Sequence, residues 1–140
     1  MFILDTDHAT FYQQGHPELQ KRLQTVSADQ IVTTVVTYEE QITGRLAVLR
    51  RVQEPQKRIQ AFFWLQQTLT FFCYLAVLPF DELADSHFQQ LRRRRLRIGT
   101  QDQLIASIAL ANNATVLTRN YRDFAQIPEL KIEDWTQPSS

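Results

Sequence analysis

Four acidic residues that lie far apart in the chain are candidates for binding one divalent cation. Asp5 follows the apolar run 2–4, Glu40 lies in a helical segment, and Asp102 and Asp123 lie on either side of a later strand candidate. Carboxylates that crowd together repel, and some take up protons unless a cation compensates their charge. Ligation by oxygen alone favours Mg²⁺ or Mn²⁺ over zinc. Such a site suits hydrolysis of a phosphodiester, because the metal acidifies a bound water and neutralises charge on the phosphate.

These acids meet only if strands and helices alternate along the chain. Apolar and β-branched runs predict strands over residues 2–4, 31–37, 74–78, 115–118 and 130–135. Helical periodicity covers residues 16–26, 38–52, a segment after the break at 54–55, 82–97 and 101–112, the last opening with Thr100 and Gln103 at capping-box spacing. This alternation predicts a single three-layer α/β domain over residues 1–140, with a mostly parallel central sheet of about five strands flanked by helices. Functional sites of such sheets lie at the carboxyl ends of the strands.

Each acid also has a purely structural interpretation. Asp123 could complete a helix cap, and Asp102 could interact with the positive end of its helix. Glu39 and Glu40 compete for one role, because neighbours on a helix point about 100° apart. Asp5 is the hardest to explain structurally, since a carboxylate directly after a buried strand is costly unless it is paired or binds a metal.

Four further polar or thiol residues have simpler interpretations. Asp7 either caps a helix or orients water at the site, and we interpret it as a supporting residue. His8, close to Asp5, is interpreted as a loop or helix-surface histidine and not as a general acid. Asp81 is placed as an N-cap, and Cys73 as a small buried hydrophobic residue.

The sequence resembles the PIN-domain endoribonucleases and, within them, the VapC-type toxins of type II toxin–antitoxin systems. The resemblance covers nearly the whole chain. It is carried by LDTD at 4–7, VTYEEQITG at 36–44, LPFD at 78–81, the block IGTQDQLIASIALANNATVLTRNYRDF at 98–124, and IPELKIEDW at 127–135. The long block is the most specific of these segments.

The resemblance implies a Mg²⁺- or Mn²⁺-dependent ribonuclease. Its four acids match Asp5, Glu40, Asp102 and Asp123, with Gly44 selecting Glu40 over Glu39. Asp5 and Asp102 are the most direct ligand candidates, and Thr118 and Asn120 match polar positions beside the site. The family further implies an RNA substrate, a homodimer, a VapB-type antitoxin and inhibition of translation. A catalytically silent PIN-like interaction module and a non-toxic RNA-processing nuclease are the alternatives.

An arginine run precedes the predicted site. Arg92 to Arg95 and Arg97 make up five of the 15 Lys and Arg residues. RNA phosphates need cationic contacts that acids cannot supply, so Arg92, Arg93 and Arg95 are RNA-contact candidates. A solvated helix face is an equally good interpretation.

The composition of the chain excludes several classes of protein. Fifteen acidic and 15 basic residues give zero net charge, which disfavours a cationic whole-surface polymer binder, and 44% hydrophobic residues exclude intrinsic disorder. The N-terminus lacks the pattern of a signal peptide, and the longest apolar stretch, residues 71–80, is about half of a bilayer span. These features predict a cytoplasmic protein. Neighbouring aromatic residues from Phe62 to Phe72 cannot all face inward, so some are expected to contact a second subunit or a partner.

Overall fold

The computed structural model describes residues 1–138, which form a parallel sheet with helices on both faces. The strands are β1 (Phe2–Leu4), β2 (Ile31–Thr34), β3 (Ala76–Leu78), β4 (Thr115–Leu117) and β5 (Lys131–Glu133). The α-helices of the described chain are α1 (Thr6–Gln13), α2 (Pro17–Leu23), α3 (Val35–Arg51), α4 (Pro55–Tyr74), α5 (Glu82–Arg93), α6 (Thr100–Ala111) and α7 (Tyr121–Phe124).

The strand order puts the ends of β1 and β4 next to each other. The sheet runs β3-β2-β1-β4-β5, and every described pair of neighbours is parallel. Leu4 at the end of β1 pairs in register with Leu117 at the end of β4. The next residues, Asp5 and Thr118, therefore leave the sheet at the same edge. The predicted parallel α/β sheet is confirmed, and all five strands lie where the apolar runs indicated.

Side chains that alternate along the strands form a core on each face of the sheet. Ile3 of β1 packs with the cluster that contains α5 and α6, whereas its neighbour Leu4 packs with the cluster that contains α2 and the end of α4. Successive strand residues point to opposite faces, so a strand covered on both sides must be apolar at consecutive positions. This arrangement gives the three layers expected from the sequence.

The second strand is shorter than predicted. It ends at Thr34, and the β-branched residues Val35 to Thr37 form the first turn of α3. The Thr34 hydroxyl accepts a hydrogen bond from the Thr37 N–H at 3.1 Å, which makes Thr34 the N-cap. The cap satisfies one of the backbone N–H groups that the first turn of a helix leaves unpaired, and this outweighs the strand propensity of the three residues.

The ends of two other helices differ from the prediction. Helix α4 continues to Tyr74, so β3 begins only at Ala76. Helix α5 ends at Arg93 instead of residue 97, because Arg95 adopts a left-handed conformation with φ of 53°. Four successive arginines therefore do not encircle one helix.

The predicted capping box of α6 is wrong. Gly99 is the N-cap, and Thr100 is the first helical residue. Gln103 instead donates its side-chain N–H to the Ile98 carbonyl at 2.7 Å. The Asp81 prediction is confirmed, since its carboxylate accepts the Ala84 N–H at 3.0 Å.

The exposure of Cys73 and the polarity of the helices complete the description of the fold. Cys73 is exposed, which corrects the prediction of a buried thiol. Over residues 1–138, every helix is too short or too polar to cross a bilayer.

Candidate metal centre

Asp5 lies at the end of β1, where it is also the N-cap of α1. Its carboxylate accepts the His8 N–H at 2.9 Å, and its own N–H donates to the Leu117 carbonyl at 3.2 Å. The residue is only 4% exposed. Burial raises the pKa of Asp5, hydrogen bonds from His8 lower it, and the neighbouring Asp7 carboxylate raises it, with a net result of about 7. A bare carboxylate is thus unfavourable at this position.

Asp7 lies in the first turn of α1 and faces the same region. One of its oxygens is 2.7 Å from His8 Nδ1, and the other accepts the Arg119 N–H at 3.3 Å. Burial raises the pKa of Asp7, but the hydrogen bonds and the charge of His8 outweigh burial and lower it. In the Asp5–Asp7 pair, Asp7 is therefore the more acidic carboxyl group.

Glu40 and Glu39 point to different places, as their positions on α3 require. The Thr6 hydroxyl donates to Glu40 Oε1 at 2.7 Å, which holds Glu40 beside the residue that follows Asp5. Glu39 is exposed and accepts a hydrogen bond from the Gln101 side chain at 3.3 Å. Of the two glutamates, Glu40 is the one that the structure brings to the start of α1.

Asn120 joins the remaining two acids. Its side-chain NH₂ group donates to Asp102 Oδ2 at 3.0 Å and to Asp123 Oδ2 at 2.9 Å. Its backbone N–H donates to the buried Thr118 hydroxyl at 2.9 Å, which fixes the turn after β4. The structural interpretation of Asp123 as part of a helix cap lacks support, because Asn120 is the N-cap residue of α7 but makes no side-chain cap hydrogen bond.

The pKa of Asp102 is affected by acidic residues from three other helices. Burial raises its pKa, the Asn120 hydrogen bond lowers it, and the charges of Glu40, Asp123 and Asp7 raise it. Charges from α1, α3 and α7 thus act on a carboxylate of α6. The structure brings all four predicted acids to one edge of the sheet, although Asp5 and Asp102 also lie in the first turns or caps of helices, as the structural interpretation proposed.

His8 is the residue whose surroundings the sequence interpretation missed. Its side chain is completely buried, not on a surface. Nδ1 lies 2.7 Å from Asp7 Oδ1, and Nε2 accepts the Trp135 N–H at 3.2 Å. One ligand atom each from Asp5, Asp7 and His8 lie within 4.8 Å of one another. Both ring nitrogens are occupied by these hydrogen bonds, whereas each carboxylate oxygen keeps a lone pair besides the one that accepts a hydrogen bond.

The protonation of His8 is subject to opposing influences. Burial lowers its pKa, whereas the adjacent Asp5 and Asp7 carboxylates raise it, to about 9. The Trp135 N–H needs a lone pair on Nε2 and therefore opposes a second ring proton. In either protonation state, the proton on Nδ1 is available to Asp7.

The arginine run ends beside the helix that carries Asp102. The Arg92 guanidinium donates to the Thr100 hydroxyl at 3.4 Å and lies 5.7 Å from the Phe88 ring centroid. Within the described chain, Arg92, Arg93 and Arg95 are exposed and form no ion pair, whereas Arg94 pairs with Glu129.

This fold and acidic edge define the class of protein. Residues 2–130 match the model of the PIN domain, and the chain belongs to the PIN-domain family.

Its relatives within that family are VapC proteins. The chain is 29% identical to the tRNA(fMet)-specific endonuclease VapC of Salmonella typhimurium over 138 residues, 96% of this chain and 97% of that one. It is 31% identical to Ribonuclease VapC of Rickettsia bellii over 96 residues, 65% of this chain and 69% of the relative. A chain in the crystal structure of DNA-bound VapBC from Salmonella typhimurium is similar with a TM-score of 0.76, 27% identity and coverage of 96% and 97%. The family resemblance drawn from the motifs is confirmed.

Proposed function

We propose that this protein is a metal-dependent endoribonuclease and the VapC-like toxin of a toxin–antitoxin pair. The observation that carries this proposal is the convergence of the acids on one edge of the sheet, where Asn120 links Asp102 to Asp123 and the residue after Asp5 binds Glu40. The names of the relatives, which are ribonucleases, support the same activity.

The acidic residues fit a bound Mg²⁺ or Mn²⁺ ion. Asp5, Glu40, Asp102 and Asp123 would hold it through oxygen atoms, the ligands that these ions prefer. Burial, and after it the charge of neighbouring acids, raises the pKa of both Asp5 and Asp102, so a cation would relieve an unfavourable arrangement of charge. When bound, such an ion supplies an activated water and stabilises the charge that develops on the scissile phosphate.

The neighbouring polar residues orient these carboxylates. Asn120 holds one oxygen of Asp102 and one of Asp123, and Thr118 fixes the backbone of Asn120. Asp7, next to Asp5, contributes further negative charge and accepts the Arg119 N–H. Partners of this kind set the direction of the lone pairs that a metal needs.

The proposed substrate is RNA, which would place the protein in the cytoplasm. Arg92, Arg93 and Arg95 would contact phosphates, because they are exposed cations near the start of the helix that carries Asp102. The Salmonella relative named for tRNA(fMet) makes a tRNA the first substrate to try.

We propose a homodimer and a VapB-type antitoxin as protein partners. Four exposed apolar side chains follow helical spacing along one stripe of α4: Ile59, Phe62, Phe63 and Leu69. A contiguous exposed apolar stripe marks an interaction surface more often than it remains in solvent. The similar VapBC structure is itself a complex by its name.

RNA cleavage by matched aspartate variants tests the proposal. Asp5 and Asp81 are both N-caps, and asparagine keeps the capping oxygen in each. We expect Asp5→Asn to abolish cleavage of a tRNA pool, Asp81→Asn to leave it unchanged, and EDTA to stop the wild-type reaction until Mn²⁺ is restored.

If the protein is instead a catalytically silent interaction module, we expect no RNA cleavage and no binding of Mn²⁺. Wild-type protein that neither cleaves RNA nor shifts its melting temperature with Mn²⁺ would contradict the nuclease proposal, as would full activity of Asp5→Asn. Preparation without the antitoxin is required, because a bound partner could also silence the enzyme.

A further inference from the structure

His8 is a buried polar side chain that the proposed mechanism does not use. It lies at the third position of α1, is 0% exposed, and has a hydrogen-bond partner on each ring nitrogen. One partner, Asp7, belongs to the acidic cluster. The other, the Trp135 backbone, lies 127 residues away in the turn after β5.

We infer that His8 is a positioning residue, whose Nδ1–H orients the Asp7 carboxylate toward Asp5 while its Nε2 anchors the ring to the turn at Trp135. This inference rests on the proposed metal-dependent function. The ring is not a ligand, because ligation would cost a buried N–H of Trp135 or the carboxylate of Asp7 its partner, and an unpaired buried group is expensive.

The geometry explains how the ring is held in this orientation. The Phe2 ring packs on Trp135 with centroids 4.8 Å apart, and the guanidinium of Arg22 lies 5.1 Å from the Trp135 ring centroid. Trp135 is 2% exposed, so its backbone N–H is a fixed donor. The imidazole therefore transmits the position of the C-terminal turn to Asp7.

A role in packing alone and a role in positioning make different predictions for the two amide replacements of histidine. Asparagine places an N–H near Nδ1 and cannot reach the Trp135 N–H. Glutamine extends to the position of Nε2 and leaves Asp7 without its donor. If His8 only fills space, both variants lose the same buried ring and should bind metal equally. If His8 acts through Nδ1, the two variants should differ in metal affinity.

The test measures Mn²⁺ binding calorimetrically in the full chain, without RNA. We expect His8→Asn, which keeps a donor to Asp7 but loses the anchor at Trp135, to lose less than roughly tenfold in affinity. We expect His8→Gln, which loses the donor, to lose roughly 10- to 100-fold and more than His8→Asn, as is typical when a group that orients a metal-binding residue is removed. Equal affinities of the two variants, or a weaker His8→Asn, would overturn the inference. Wild-type protein that binds no Mn²⁺ would instead overturn the proposed function on which it rests.

Two further measurements apply if a variant fails to fold. In wild-type protein, ring ¹⁵N spectra are expected to show a proton on Nδ1 in both the metal-free and the Mg²⁺-loaded states, and an unprotonated Nδ1 would overturn the inference. Asp7→Ala is expected to weaken Mn²⁺ binding as much as His8→Gln does. Wild-type affinity in Asp7→Ala would contradict a role exerted through that carboxylate.

Discussion

At the scale of single residues, the site depends on side chains that hold carboxylates close together against their mutual repulsion. Asn120 does this most directly, since one NH₂ group donates to both Asp102 and Asp123. Asp102 is partly buried and is surrounded by negative charge, so without that donor its ionised form would be less stable.

Removing the Asn120 amide should therefore weaken metal binding. We expect Asn120→Ala to reduce Mn²⁺ affinity by roughly 10- to 100-fold, because the two carboxylates lose the group that orients them. Isothermal titration calorimetry measures the change. Asn112→Ala is the control, since Asn112 lies at the far end of α6 and its side chain donates to the Ile108 carbonyl. Unchanged affinity in Asn120→Ala would contradict this role.

The metal-free protein should lose stability as the pH rises. The pKa of Asp5 is raised from 3.8 to about 7 in the folded state, so between these values the unfolded chain has released a proton that the folded chain retains. His8, with its pKa raised from 6.5 to about 9, acts in the same direction at higher pH. The Asp5 contribution is on the order of 4 kcal/mol.

Thermal unfolding in EDTA at pH 5 and pH 8 checks this expectation. The melting temperature of the wild type should fall between the two values, and Asp5→Asn should be more stable than the wild type at pH 8 because asparagine carries no charge. Added Mn²⁺ should restore the wild type at pH 8 and not the variant. A metal-free wild type that is more stable at pH 8 than at pH 5 would refute the argument.

At the scale of secondary structure, the cap of α3 decides which glutamate reaches the site. The Thr34 hydroxyl fixes the first turn, and residues on a helix are 100° apart, so Glu40 faces Thr6 while Glu39 faces Gln101. If α3 began at a different residue, Glu39 and Glu40 would point in other directions.

Loss of that cap should cost stability. We expect Thr34→Ala to lower the free energy of unfolding by about 1–2 kcal/mol, because Thr34 is buried and its hydroxyl is the only side-chain cap of α3. Urea denaturation measures the difference. Thr43→Ala, on the exposed side of the same helix, is the matched control and should change the free energy by less than about 0.5 kcal/mol. Equal effects would argue against the capping role.

The elements themselves were largely predictable from the sequence, and their limits were not. Runs such as 2–4 and 115–117 are apolar at consecutive positions, which is a property of strands covered on both faces. Helix α1 was not predicted, because its sequence TDHATFYQ is mostly polar and its inward face includes His8. Asp5, His8 and Ala9 are buried and lie three and four residues apart, and this helical spacing was the one signal of α1 in the sequence.

The site was predictable only in part, for a physical reason. Motifs identify residue types at fixed spacing, so the four acids could be named in advance. His8 could not be assigned its role, because its second partner comes from Trp135 at the other end of the chain. The pairing of Asp102 with Asp123 through Asn120 likewise depends on how α6 packs beside the turn after β4.

At the scale of the whole molecule, zero net charge conceals an uneven distribution. Acids gather at one edge of the sheet, and the exposed cations Arg92, Arg93 and Arg95 lie at the end of α5 and just after it. A substrate with phosphates on both sides of a scissile bond would meet a metal at one place and cations at another.

Neutralising these three arginines should weaken RNA binding and its dependence on salt. If each contacts one phosphate, changing all three to Ala should lower the slope of log affinity against log salt by about 2. Filter binding with inactive Asp5→Asn as the background measures this slope. A triple variant at Arg50, Arg51 and Lys57, all exposed elsewhere, controls for net charge. If the variant at Arg92, Arg93 and Arg95 has the same slope as its parent, these arginines do not contact RNA.

Anomalous diffraction from crystals soaked in Mn²⁺ tests the central idea most directly, since the function depends on one cation held by acids from four separate segments. We expect an anomalous peak within coordination distance of carboxylate oxygens of Asp5 and Asp102, with Glu40 and Asp123 around it. Saturating Mn²⁺ that leaves this edge of the sheet without a peak, while Asn120 still joins Asp102 to Asp123, would contradict it.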